Sequence, residues 1–114
     1  MGKDFDLSLE ERTVLDLLAR YKALSYDCVA VMGFGGDAKL SYRALYDLKR
    51  KRLVLTRRDP RDSRQRYAVL SKAGIEQVPE ELRAAHLKVY SHRNRAEREM
   101  ETNELYVLAV QAGI

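Results

Sequence analysis

Apolar and polar positions divide the chain into a helical first third, a strand-rich middle and a helical end. Val14, Leu17, Leu18 and Tyr21 recur at i, i+3, i+4 and i+7, the stripe of an amphipathic helix running from about 9 to 23. Ser8 and Glu11 open it with capping-box spacing, in which the hydroxyl accepts an orphan N–H and the carboxylate reaches back. A second, shorter helix is predicted from Ser25. Leu24 and Val29 have hydrophobic-staple spacing around that cap, and Cys28, Val29 and Met32 face the core. Gly33-Phe34-Gly35-Gly36-Asp37 then breaks the chain, with glycine supplying positive φ and Asp37 capping the next helix. This is a helix–helix turn and not a phosphate loop, because no Gly-Lys-Ser/Thr comes after it and no strong strand precedes it.

The third predicted helix, 38–51, has two unlike faces. Ser41, Ala44, Leu45 and Leu48 form a small, aliphatic side for packing. Lys39, Tyr42, Arg43, Tyr46 and Arg50 form the opposite side, basic with tyrosines interleaved. Two strands come next, Leu53 to Arg58 and Gln65 to Leu70, rich in β-formers. Between them Asp59 and Pro60 stand at the first and second positions of a tight turn. Ser71 caps a short helical turn. From Pro79, placed at a first helical position, to about Glu101 the chain reads as one charged helix. Its weak heptad of Leu82, Val89 and Ala96 is interrupted by His86, Arg93 and Asn103. The nearly all-apolar stretch from Leu105 to Ile114 is expected to pack on this chain or on another copy.

Charge changes the picture more than composition does. The net charge of the 114 residues is only +4, but between Lys39 and Lys72 twelve Lys/Arg meet three Asp, a local net of +9. The remainder is net −5, and such segregation marks a polyanionic partner. The single cysteine, Cys28, excludes an intrachain disulfide and a cysteine-rich metal site. Neither a signal peptide nor a membrane span is read, so a reducing cytoplasm is the expected location. No enzyme is expected, nor any metal or cofactor. His86 and His92 lie six residues apart and cannot share a helix face, and no nucleophile elbow or paired carboxylates stand out.

The fold class expected from this order is α+β, mainly α: a winged helix-turn-helix over 8–78, with a C-terminal helical extension over 79–114. The stretch from Leu53-Val54 through Asp62-x-Arg64 to Leu70-Ser71-Lys72-Ala73-Gly74 resembles the wing of MarR-type regulators. Asp62 and Arg64 match the wing Asp-x-Arg, and Leu70 and Gly74 match its exit. Ser71 stands for the usual threonine, and Arg52 for the glycine before Leu53-Val54. The resemblance implies that Asp62 holds Arg64 and stiffens the hairpin. A second resemblance, carried by Leu9, Arg12, Val14, Leu15, Leu17, Leu18 and Ala19, is to the winged-helix part of plasmid replication-relaxation proteins.

The expected function is sequence-specific binding of double-stranded DNA by a transcription regulator. The helix 38–51 enters the major groove, with Arg43 on a guanine, Tyr42 and Tyr46 on a thymine methyl or phosphate, and Lys39 and Arg50 on the backbone. The wing, 57–66, reaches the flanking backbone or minor groove through Arg57, Arg58, Arg61, Arg64 and Arg66. Lys49, Lys51 and Arg52 steer and neutralise. Useful specificity from so small a domain calls for a homodimer, with the extension as its interface. Two other readings remain open. One is an accessory protein of plasmid, phage or conjugative-element replication, partition or transfer; the other is a winged-helix protein-interaction module. A salt bridge from Arg43 to Asp47, and core packing of the tyrosines, are the structural alternatives on the third helix.

Overall fold

The short polar residues that punctuate the sequence stand at the helix starts. The computed structural model describes residues 6–113, so Ile114 lies outside the described residues. The elements are α1 (Leu9–Tyr21), β1 (Ala23–Ser25), α2 (Tyr26–Phe34), α3 (Ala38–Arg50), β2 (Val54–Asp59), β3 (Asp62–Leu70), α4 (Lys72–Ile75), α5 (Glu80–Ser91) and α6 (Arg93–Gln111). Both bonds of the Ser8–Glu11 capping box form, at 2.9 and 3.1 Å. Ser25, Asp37 and Ser71 accept the N–H of Cys28, Leu40 and Gly74, each at 3.2 Å. Pro79 is one position earlier than its fixed φ suggested. It is the N-cap of α5, with ψ 142° holding it outside the helix.

The antiparallel sheet has the order β1-β3-β2, and alternation along its strands sorts the core into two halves. Leu24, Val54, Ala68 and Leu70 face α1, α2 and α3, where Val14, Leu18, Val29, Leu45 and Leu48 are buried with them. Ala23, Leu55, Tyr67 and Val69 face the other way, against Val89 of α5 and Ala96 and Met100 of α6. Covering both faces of the sheet explains why Leu53-Val54-Leu55 and Ala68-Val69-Leu70 are apolar without alternating. The result is a mainly helical α+β fold, as the residue order implied.

The extension differs from the single helix expected. It breaks at His92, whose backbone is extended (φ −126°, ψ 104°), into two helices. Two of the three polar residues that interrupt its apolar pattern, His86 and Asn103, are buried and face the end of α1, while Arg93 is exposed. Lys22, with φ 70°, stops α1 abruptly and strands carbonyls that the next turn would have paired. His86 Nε2 lies 3.0 Å from the Ala19 carbonyl. Asn103 Nδ2 donates to the carbonyls of Tyr21 and Ala23, both at 2.8 Å. The extension thus caps α1 from outside, and the heptad is broken where the caps sit.

His86 gives this packing a pH dependence. Burial, its largest influence, holds the imidazole below the ordinary 6.5, with Lys22 adding to the effect and the Ala19 carbonyl and Glu99 opposing it. Below about 6.5 the unfolded ring takes up a proton that the folded ring resists, so folding free energy is lost as pH falls through that value. Melting curves are therefore expected to show Tm falling between about pH 7 and 5.5, and falling less in His86→Gln. Parallel curves for the two proteins would contradict this.

Candidate nucleic-acid interface

On α3 the burial follows the two faces read from the sequence. Ser41, Ala44, Leu45 and Leu48 are buried, while Lys39, Tyr42, Arg43, Tyr46, Lys49 and Arg50 are exposed. Among the described residues no salt bridge involves Lys39, Arg43, Lys49 or Arg50, so the Arg43–Asp47 pair does not form. Tyr46 is 61% exposed and is not core; the Arg50 guanidinium lies 5.9 Å from its ring centroid. Tyr42, 45% exposed, leans on Tyr26 with ring centroids 5.3 Å apart. Tyr26 escaped the sequence reading because it opens α2 and meets α3 only in the folded chain. Its hydroxyl is pushed above the ordinary tyrosine range, chiefly by burial, while Arg66 pulls it back. Tyr26 therefore buttresses the exposed face of α3 through Tyr42.

Strand parity then sorts the wing. Arg58 pairs with Arg66 directly across β2 and β3. Arg64 lies two residues further along the same face of β3, and all three are exposed. Like charges directly opposite each other in a ladder are destabilising, so two facing arginines are an arrangement suited to an anion between or above them. Arg64 also takes the contact to Asp62 that the resemblance implied, through its backbone N–H at 3.0 Å and Nε at 3.3 Å. Its side chain remains 87% exposed, so this pair holds it weakly.

Two arginines expected beside these are engaged within the protein. Arg57 is opposite Tyr67, on the face that carries Leu55, and points at α5. Its Nη2 donates to the Tyr90 carbonyl at 2.6 Å and its Nη1 to that of Val89 at 3.4 Å. It caps the end of α5, whereas the sequence placed it in the DNA-facing set. The signal for this was Leu55-x-Arg57, since residues two apart in a strand share a face. Arg61 is at the hairpin tip as expected. Its guanidinium makes two bonds to Asp59, at 2.8 and 3.0 Å, and one to Glu104 of α6 at 2.6 Å. The Arg61 bonds outweigh burial at Asp59 and hold its carboxyl below the ordinary range. Lys51 is likewise engaged, 2.7 Å from the carboxylate of Glu11. Burial, the largest influence on Glu11, raises its pKa, but Lys51 and Ser8 together bring it below the ordinary value.

The link between α3 and the wing is a tight helix stop. The N–H of Leu53 bonds the Leu48 carbonyl and that of Arg52 bonds the Lys49 carbonyl, both at 3.0 Å. This is the paired pattern of a Schellman end. It places Arg52 at φ 62°, a conformation that favours glycine. The arginine thus occupies the position where the MarR-type pattern has glycine.

No group of three or more His, Cys, Asp or Glu among the described residues is placed to hold a metal ion. Cys28 is buried and burial raises its pKa. No helix among them is long and apolar enough to cross a membrane.

With this geometry in view, the chain compares with one solved structure in particular, a crystal structure of a mutant MepR from a multidrug-resistant S. aureus clinical isolate. The TM-score is 0.58 at 20% identity, and the match covers 94% of this chain and 81% of that one. The shared fold is a winged helix. In that fold α2 and α3 are the helix-turn-helix pair, and the β2–β3 hairpin is the wing. No protein-family model matches the sequence, and no curated protein matches it at a significant level. The resemblance to replication-relaxation proteins finds no support.

Proposed function

We propose that this protein binds double-stranded DNA sequence-specifically as a transcription regulator, with α3 in the major groove and the wing on the flanking backbone or minor groove. One observation carries the reading. Exposed cations with no carboxylate partner among the described residues stand on α3, at Lys39, Arg43 and Arg50, and on the wing, at the facing pair Arg58 and Arg66. A solvated surface intersperses both signs; a concentration of unpaired cations is the electrostatic counterpart of a phosphate backbone. Arg43, free of Asp47, is available for bidentate contact with guanine O6 and N7. Lys39, Lys49, Arg50 and Arg64 supply backbone contacts, and Tyr46 sits where a thymine methyl would pass. The likeness to a MarR-like regulator agrees with this reading.

The protein acts in this proposal as a homodimer. Support comes from α6, where Leu105, Tyr106, Leu108 and Val110 are each more than half exposed on the helix that also anchors α1. Selection from random duplexes is expected to recover a two-fold-symmetric site whose half-sites are about one helical turn apart. On that site Arg43→Glu combined with Arg66→Glu is expected to weaken binding by at least about a hundredfold. Recovery of no consensus, or full affinity in the double variant, would refute the assignment.

A further inference from the structure

Arg61 stands at the tip of the wing and yet is bound to the far helix. Its backbone N–H and Nε both donate to Asp59 Oδ1, at 2.9 and 3.0 Å, and its Nη2 donates to Asp59 Oδ2 at 2.8 Å. Asp59 is 6% exposed, so this half of the arrangement belongs to the hairpin itself. The same Nη2 also donates to Glu104 Oε1 at 2.6 Å, across 43 residues of sequence. Glu104 cannot drift, because the preceding Asn103 is bonded to the Tyr21 and Ala23 carbonyls. The Arg61 side chain is still 47% exposed and Glu104 30%, so a ligand from solvent can reach the guanidinium.

We propose that Glu104 is a built-in competitor for DNA: in the free protein it holds the wing tip on α6, and a backbone phosphate displaces it from Arg61 on binding. The proposal rests on the DNA-binding reading and adds a regulatory element to it. The exchange is even in charge type, a carboxylate replaced by a phosphate oxygen on the same donor, and Asp59 keeps the guanidinium oriented throughout. A half-exposed ion pair is a weak hold, which suits a contact that must be given up. Anything that repositions α6, including a second copy on its exposed apolar residues, would change the strength of this competition.

The test is a double-mutant cycle on duplex DNA together with amide hydrogen exchange of the wing. Glu104→Gln is expected to tighten binding about threefold to fivefold, and to leave affinity unchanged in an Arg61→Ala background. Tightening of equal size in both backgrounds would reduce Glu104 to a general repulsive charge and overturn the proposal. Weakened binding in Glu104→Gln would also overturn it, by making Glu104 a prop for the wing. Exchange is read without DNA: Glu104→Gln is expected to speed the amides of residues 59–64 at least about threefold. Unchanged exchange rejects the hold on the wing tip even if DNA binds. Failure of the wild type to bind any duplex, with faster exchange in the variant, instead rejects the DNA reading and leaves the clamp standing.

Discussion

Raising the salt from 50 to 200 mM is expected to weaken binding to duplex DNA by about a thousandfold or more. The size comes from counting cations free to release counterions. Lys39, Arg43, Lys49, Arg50, Arg58, Arg64 and Arg66 are exposed, and among the described residues only Arg64 of these has a carboxylate contact. Arg57 is excluded because it bonds α5 carbonyls, and Lys51 because it is paired with Glu11. About six phosphate contacts give a log–log slope of roughly −5, and a fourfold rise in salt then costs about three orders of magnitude. Fluorescence anisotropy across that range measures the slope directly. A slope shallower than about −2 would mean that most of these cations do not touch phosphate, and the DNA reading would fail with it.

That count depends on features the sequence displays unequally. The two faces of α3 are legible because helix periodicity places Leu45 and Leu48 opposite Arg43 and Tyr46, and packing enforces the same split. The caps are legible because Ser8, Ser25, Asp37 and Ser71 act within three residues of themselves. Contacts that join distant elements leave no such trace. β1 is three residues long, too short for a period, and exists because β3 offers it a partner. Ser63 and Arg64 look like loop in the sequence but belong to β3, since they are polar on a part of the strand that has no core beneath it. His86 and Asn103 look like flaws in a heptad because their partners are backbone carbonyls 67 residues away for the first and 80 and 82 for the second. The break at His92 has neither proline nor glycine to announce it. Arg61 is recognisable as a tip residue, but Glu104, its partner, lies on another element entirely.

Gly74→Ala is expected to destabilise the fold by about 3 kcal/mol, lowering Tm by roughly 10–15 °C. On helix propensity alone the change should help, since alanine is preferred to glycine inside a helix by about 1 kcal/mol. Sterics decide the sign. A Cβ on Gly74 would lie 2.2 Å from the Leu53 carbonyl oxygen and 3.1 Å from Leu70 Cδ2. Backbone cannot yield there as a side-chain end would. The Leu53 oxygen already accepts the Ser71 N–H at 3.0 Å. Ser71 Oγ in turn donates to the Arg52 carbonyl at 2.6 Å and accepts the Gly74 N–H at 3.2 Å. Moving α4 outward to admit the methyl group breaks this set, and with it the seam between the end of α3 and the start of the wing. Gly36→Ala is the matched control. It has positive φ (90°) but open space around its Cβ, so it should cost only about 1 kcal/mol from backbone strain. Denaturant unfolding of both variants separates the two causes. A Gly74→Ala protein as stable as the wild type would mean that α4 is not seated on Leu53, and that the wing is held to α3 by the Arg52 turn alone.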